Sequence, residues 1–194
     1  IHKADTFVPS NNAFGGIVYC GGTMAFTAGY HVLHVLKPDI LAYFGCDMHY
    51  PGDGQKTHFY GTGSADPIRD DITLQNLSAK STRLLVKAAE LNCLVVNLSA
   101  EQTSHLIFPR VEFEELMKFG AADVNHYLRA ARRSINRLVV QRAVRAENSL
   151  GYFVPSGIYW TESKYMDAEK IREIDDLWST AFAENDTGWF AENL

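Results

Sequence analysis

Two short apolar runs without polar alternation constrain the fold most: ILAYFG at 40–45 and CLVVNLS at 93–99. Each has strand length, and continuous apolar character of this kind belongs to strands covered on both faces. Each is preceded by a segment of helical character. TMAFTAGYHVLHVL (23–36) is apolar all round, has Thr23 where an N-cap belongs, and is stopped by Lys37-Pro38-Asp39. DITLQNLSAKSTRLLVKAAELN (71–92) places Leu77, Leu84, Leu85, Ala88 and Leu91 along one stripe. A third run, IVYC (17–20), reads as a short β-type segment ended by Gly21-Gly22. Strand, helix, strand, helix, strand in this order predicts right-handed βαβ units. The expected fold is α/β, with a doubly wound, Rossmann-like, mostly parallel sheet.

Around that core the character changes. Residues 1–15 are polar and turn-rich and read as a lead-in, not an element. Beyond Phe108-Pro109-Arg110, residues 112–119 and 122–148 read as helices, and 167–185 as an acidic amphipathic helix. This divides the chain into a core in 1–110 and a helical extension in 111–194. The chain opens on Ile1, so a piece of a longer polypeptide is expected.

Composition narrows the function classes. With 46% hydrophobic and 21% charged residues, the chain has a globular profile. The formal net charge of −5 argues against general attraction to nucleic acid or anionic membrane. No apolar run reaches the roughly 18–20 residues of a membrane span. Cys20, Cys46 and Cys93 lie in or beside apolar segments without metal spacing, which suits free thiols in a reducing, cytoplasmic compartment.

In an open parallel sheet, ligands bind beyond the carboxyl ends of the strands. Three segments reach that edge. In CGGTMAFT (20–27), Gly21 and Gly22 allow close backbone approach, and the helix begun by Thr23 and Met24 offers N–H groups to a phosphate or carboxylate. GCDMHYPGDGQKTHFYGTG (45–63) puts Asp47 directly after a strand. His49 and His58 are suited there to acid–base work, and Tyr50 and Tyr60 to donating to a phosphate. VNLSAEQTSHLIFPR (96–110) adds Asn97, Ser99 and His105.

Asp47, His49, Asp53 and His58 also have metal-ligand chemistry, but the later Asp and Asn-His elements of a metallophosphoesterase do not follow. His31 and His34 read as packing residues. Arg129, Arg132, Arg133, Arg137, Arg142 and Arg145 crowd one helix with no acid between Val124 and Ala146. The acidic residues Glu169, Glu173, Asp175, Asp176 and Glu184 are expected to neutralise them, or the helix to join subunits in a homo-oligomer.

Over residues 16–110, GGTMAFTAGYHVL followed by KPDILAYFGCDMHYPGDGQKTHFYGTG resembles the motility-accessory-factor type of flagellin glycosyltransferase (domain of unknown function 115). More distantly it is similar to the sialyltransferases of glycosyltransferase family 42. The resemblance implies a nucleotide-sugar donor such as a CMP-linked nonulosonic acid, and a glycan or protein acceptor. It sets Gly22, Thr23 and Met24 against the nucleotide and Gly45, Cys46 and Asp47 at the ribose and phosphate. Tyr50 would assist the departing phosphate, with His58 or His49 as the base.

No cofactor is required by that scheme, though Asp47 could hold a divalent metal. The sequence departs from the sialyltransferase pattern at Thr62, where that family has its base histidine, and the Gly-x-Gly-Pro-Ser loop is absent from 1–20. Two alternatives stay open: a non-catalytic assembly domain on the same fold, and a metal-dependent pterin diphosphokinase-like enzyme.

Overall fold

The two apolar runs do pair. In the computed structural model, which describes residues 4–46, 48, 71–99, 104 and 106–182, β1 (Ile40–Tyr43) and β2 (Leu94–Asn97) are parallel. Ile40 stands opposite Leu94 and Tyr43 opposite Asn97. The fold is mixed α/β and mostly helical, with a small two-stranded parallel sheet and helices in the C-terminal part of the chain.

β2 is buried at every position, as its sequence predicts. One face, Leu94 and Val96, packs with Val111 and Tyr127 of the segment and helix that follow. The other, Cys93 and Val95, joins Phe26, Tyr30, Leu84 and Phe108 in the main core. β1 departs from expectation: among its residues only Tyr43 is buried, and Ala42 is exposed. Its apolar run therefore marks a strand covered mainly on one side.

α3 (Met24–Val35) and α4 (Leu77–Glu90) form where the sequence places them, each headed by a side-chain cap. Thr23 Oγ1 accepts the Phe26 N–H at 3.2 Å, and Asn76 Oδ1 accepts the Ala79 N–H at 3.0 Å. Such caps satisfy N–H groups that have no intrahelical partner.

Three expectations are corrected. IVYC is not a strand but a single helical turn, α2 (Ile17–Cys20), between Gly16 and Gly21 at φ 96° and 93°. Among the described residues no strand lies alongside, and its backbone bonds locally, Cys20 N–H to Gly16 O at 3.0 Å and Gly21 N–H to Ile17 O at 2.9 Å. Residues 4–12 are not a lead-in but helix α1 (Ala4–Asn12), which packs along α3 despite Pro9 in its interior. Here tertiary packing outweighs a poor helical sequence.

The 122–148 helix is two: α6 (Ala121–Ser134) and α7 (Arg137–Leu150). Ile135 is extended at φ −79°, ψ 120° and bridges antiparallel to Phe182. Asn136 then caps α7 through the Val139 N–H at 3.3 Å. The segment expected at 112–119 narrows to α5 (Phe113–Leu116). The last described helix is α8 (Ala168–Ser179), capped by Asp167.

A second core joins the two halves of the sequence. Val18 of α2 and Val86 of α4 pack with Val140 of α7 and with Ile171, Ile174 and Trp178 of α8. No described helix is long and apolar enough to cross a membrane.

Candidate functional site

The glycine pair ahead of α3 is built for close approach. Gly21 holds φ 93°, and a Cβ there would lie 2.9 Å from the Phe26 ring. At Gly22 a Cβ would come within 2.6 Å of Thr73 Oγ1 and 3.0 Å of the Tyr159 hydroxyl. The space is taken by a polar knot. Gly22 N–H donates to Thr73 Oγ1 at 3.0 Å, and Thr73 donates to Asp71 Oδ1 from its hydroxyl at 2.7 Å and its N–H at 2.8 Å. The Tyr159 hydroxyl donates to Asp71 Oδ2. Burial, and then the Asp71 carboxylate, push the Tyr159 phenol up to about 12, so it stays protonated and a donor.

α3 brings this turn to the carboxyl edge of the sheet. The Tyr43 hydroxyl, at the end of β1, donates to Ala25 O in the first turn of α3 at 3.1 Å. Just beyond, Leu98 N–H donates to Tyr43 O at 2.8 Å, which keeps the ends of β1 and β2 side by side. The first intrahelical bond of α3 is Thr27 N–H to Thr23 O at 3.0 Å. The N–H groups of Met24 and Ala25 precede it and lie at this edge.

The other residues singled out by sequence divide as follows. Gly45 turns at φ 66° with open space around it, and Cys46 is half-buried. Asn97 is fully buried and engaged: its Oδ1 accepts Ser99 N–H at 2.9 Å and its Nδ2 donates to Ser104 Oγ at 3.5 Å. Ser99 is half-buried, with its carbonyl bound by the Arg110 guanidinium at 2.6 Å. Asp47, His49, Tyr50, Asp53, His58, Tyr60 and His105 lie outside the described residues. Among the described residues, no group of three or more His, Cys, Asp or Glu side chains could hold a metal ion. His31 is half-buried against Ser10 (3.0 Å) and the Phe7 ring, while His34 is exposed.

Beneath the turn runs a buried charge network that the sequence did not disclose. Arg83 makes a two-point pair with Glu147, Nε to Oε1 at 2.8 Å and Nη2 to Oε2 at 2.9 Å. Its Nη1 donates to the Tyr30 hydroxyl at 2.9 Å, and the Trp178 indole donates to Glu147 Oε1 at 2.7 Å. Lys80, 2% exposed, pairs with Asp175, 1% exposed, at 2.7 Å.

Burial alone would raise the Glu147 carboxyl. The Arg83 guanidinium and the hydrogen bonds outweigh it and hold Glu147 below its ordinary value. Burial wins at Asp175, whose carboxyl is raised despite Lys80 and whose Oδ2 has no hydrogen-bond partner among the described residues. Burial also pushes the Cys20 thiol up to about 11, which makes it a poor nucleophile. These charges are closed from solvent and act by positioning: the Lys80 stem lies 3.4 Å from where a Gly21 Cβ would stand.

Among the described residues this pairing stands where another was expected; Glu184 lies outside them. Lys80, not an arginine, binds the Asp175 carboxylate. Arg129, Arg133, Arg137, Arg142 and Arg145 are exposed, and Arg132 donates to Ala89 O and to Asn92 Oδ1 at 2.7 Å. α7 and α8 meet through apolar side chains and the Trp178–Glu147 hydrogen bond.

Asp71, Thr73 and Tyr159 escape a reading by sequence because their roles arise from contact with Gly22 across the fold. Comparison with protein-family models, with curated proteins and with solved structures finds no match to this chain.

Proposed function

We propose that this chain is a glycosyltransferase-like domain that takes a sugar from a nucleotide-activated donor, a CMP-linked nonulosonic acid, and passes it to a glycan or protein acceptor. The observation that carries the reading is the arrangement at the sheet edge. The Gly21-Gly22-Thr23 turn heads α3, the Tyr43–Ala25 hydrogen bond holds that head beside the end of β1, and the Gly22–Thr73–Asp71 knot stands next to it. Helix-head N–H groups suit a departing phosphate.

In this reading the two parallel strands are part of a doubly wound, Rossmann-like sheet of the kind found in the flagellin glycosyltransferases that the sequence resembles, and the domain works in the cytoplasm. Transfer is a direct displacement at the anomeric carbon. His58 or His49 takes the acceptor hydroxyl's proton, while Tyr50 and the head of α3 stabilise the leaving phosphate. No metal is needed. The test is titration with CMP by calorimetry, followed by release of CMP from the CMP-sugar in the presence of acceptor. Asp47→Ala should weaken binding and His58→Ala should abolish transfer; transfer that survives both substitutions refutes the assignment.

A second reading, a non-catalytic assembly domain, is favoured by one surface. Around 153–165 the aromatic residues Phe153, Trp160 and Tyr165 are 47%, 65% and 76% exposed. That reading requires an oligomer in light scattering, lost on Arg132/Arg133→Glu or Trp160→Ala, and no heat of nucleotide binding.

A further inference from the structure

The break between α6 and α7 stands beside a cavity that the glycine turn does not share. It has a volume of about 470 Å³ and lies between the end of α4, the end of α6 and the first turns of α7. Val86, Ala89, Ile135 and Val140 line it with apolar groups, and Glu90, Arg132, Arg137 and Gln141 with polar ones. Ile135 is only half-buried, so apolar surface stays open there. The size is that of a small-molecule site. Ala89 follows Lys80 on α4 by roughly 14 Å of helix axis, which sets the cavity apart from the buried charges near the turn.

Two guanidinium groups belong to the lining and keep donors to spare. Arg132 donates from Nε and Nη2 to Ala89 O and from Nη2 to Asn92 Oδ1, which holds its side chain in place. Its Nη1 donates to nothing among the described residues and is not closed from solvent. Arg137 is exposed, and its side chain makes no hydrogen bond or ion pair among the described residues. Glu90 is the acid of the lining, and Lys87 already binds its carboxylate at 3.0 Å. The lining thus leaves both guanidinium charges without a carboxylate. A cation is disfavoured here, and a carboxylate would balance one guanidinium only. A phosphate monoester carries about −1.5 to −2 charge near neutral pH and three terminal oxygens, enough for both.

We infer that this cavity binds a phosphate monoester with a compact apolar body, with Arg132 Nη1 and the Arg137 guanidinium on the phosphate and Ile135 and Val140 against the body. Arg137 is also the first residue of α7, whose positive end favours an anion. None of the lining residues belongs to the Gly21-Gly22-Thr23 turn. This is a second site, and it does not rest on the nucleotide reading above.

The experiment is calorimetry on the unmodified chain with phenyl phosphate, inorganic phosphate and phenol. Phenyl phosphate should bind about tenfold or more tightly than either, because it alone meets both the guanidinium groups and the apolar floor. Arg137→Glu should weaken it by about tenfold or more without lowering the thermal midpoint of the free protein, since the residue is exposed. Gln141→Glu, at a second exposed lining residue, should act in the same sense. Equal affinities for phenyl phosphate and inorganic phosphate mean an adventitious anion and overturn the inference, as does absence of phenyl phosphate binding. Binding unchanged in both variants overturns the placement. CMP binding at the turn should be the same in Arg137→Glu as in the unmodified chain, and its loss there would overturn the separation of the two sites.

Discussion

Glu147 ties α7 to α4 and α8, because N–H donors of Arg83 and Trp178 converge on its two oxygens inside the protein. Removing one partner of such a pair strands the other. Glu147→Gln should therefore lose about 3–5 kcal/mol in urea unfolding at neutral pH. The double change Arg83→Met with Glu147→Leu should lose less than either single change, since no charge is then left unpaired.

The pH dependence follows in sign. Glu147 has a lowered native pKa, so its contribution is complete above the ordinary 4.5 and disappears as pH falls through the lowered value. Stability should fall with acid in the unmodified chain, and less steeply in Glu147→Gln. Thiol labelling adds a check at the same scale. Cys20 and Cys93 are buried, with thiols pushed up to about 11 and about 12, so Cys46 should react alone and Cys46→Ser should silence the native protein. Rapid labelling of Cys20 would contradict the closed network.

Among the elements, those with a cap and a stop in their own sequence were legible. Thr23 and the Lys37-Pro38 stop bracket α3, and the apolar runs of β1 and β2 announce themselves. α2 was misread because four apolar residues carry no period, and a strand cannot be told from a helical turn without knowing what lies alongside. The break between α6 and α7 was hidden because Ile135 continues the apolar side of the helical pattern and neither it nor Asn136 is a glycine or proline. It becomes intelligible only from the bridge to Phe182.

The packing of α3 on β1 yields a prediction at this scale. A Cβ on Gly29 would run into the buried Tyr43 hydroxyl and stand 3.0 Å from Leu84. Gly29→Ala should cost about 1–3 kcal/mol. Thr23→Ala, which removes only the cap, should cost about 1 kcal/mol. Chemical denaturation of both variants checks the order; an equal or reversed order would mean that α3 and β1 are not in the contact described.

For the whole molecule, the decisive fact is that residues 1–110 supply Lys80 and Arg83 while 111–182 supply Asp175 and Glu147. A chain ended at residue 110 should therefore fail to give a cooperative thermal transition, having lost Trp178, Ile171 and both carboxylates beneath α4. A sharp transition in that fragment would show that the first segment folds alone.

Of the candidate site, the Gly21-Gly22-Thr23 turn was visible because glycines before a capped helix are a local pattern. Its partners Asp71, Thr73 and Tyr159 were not, since a hydrogen bond between distant residues leaves no periodic trace. By itself the sequence determined the parallel strands, the helices that carry their own caps, and the turn at the head of α3, all of which follow from short-range sterics and hydrophobic period. Only the tertiary structure decided which charges are buried together and which carboxylates they meet. Pair geometry and desolvation exist only once distant segments have closed around them.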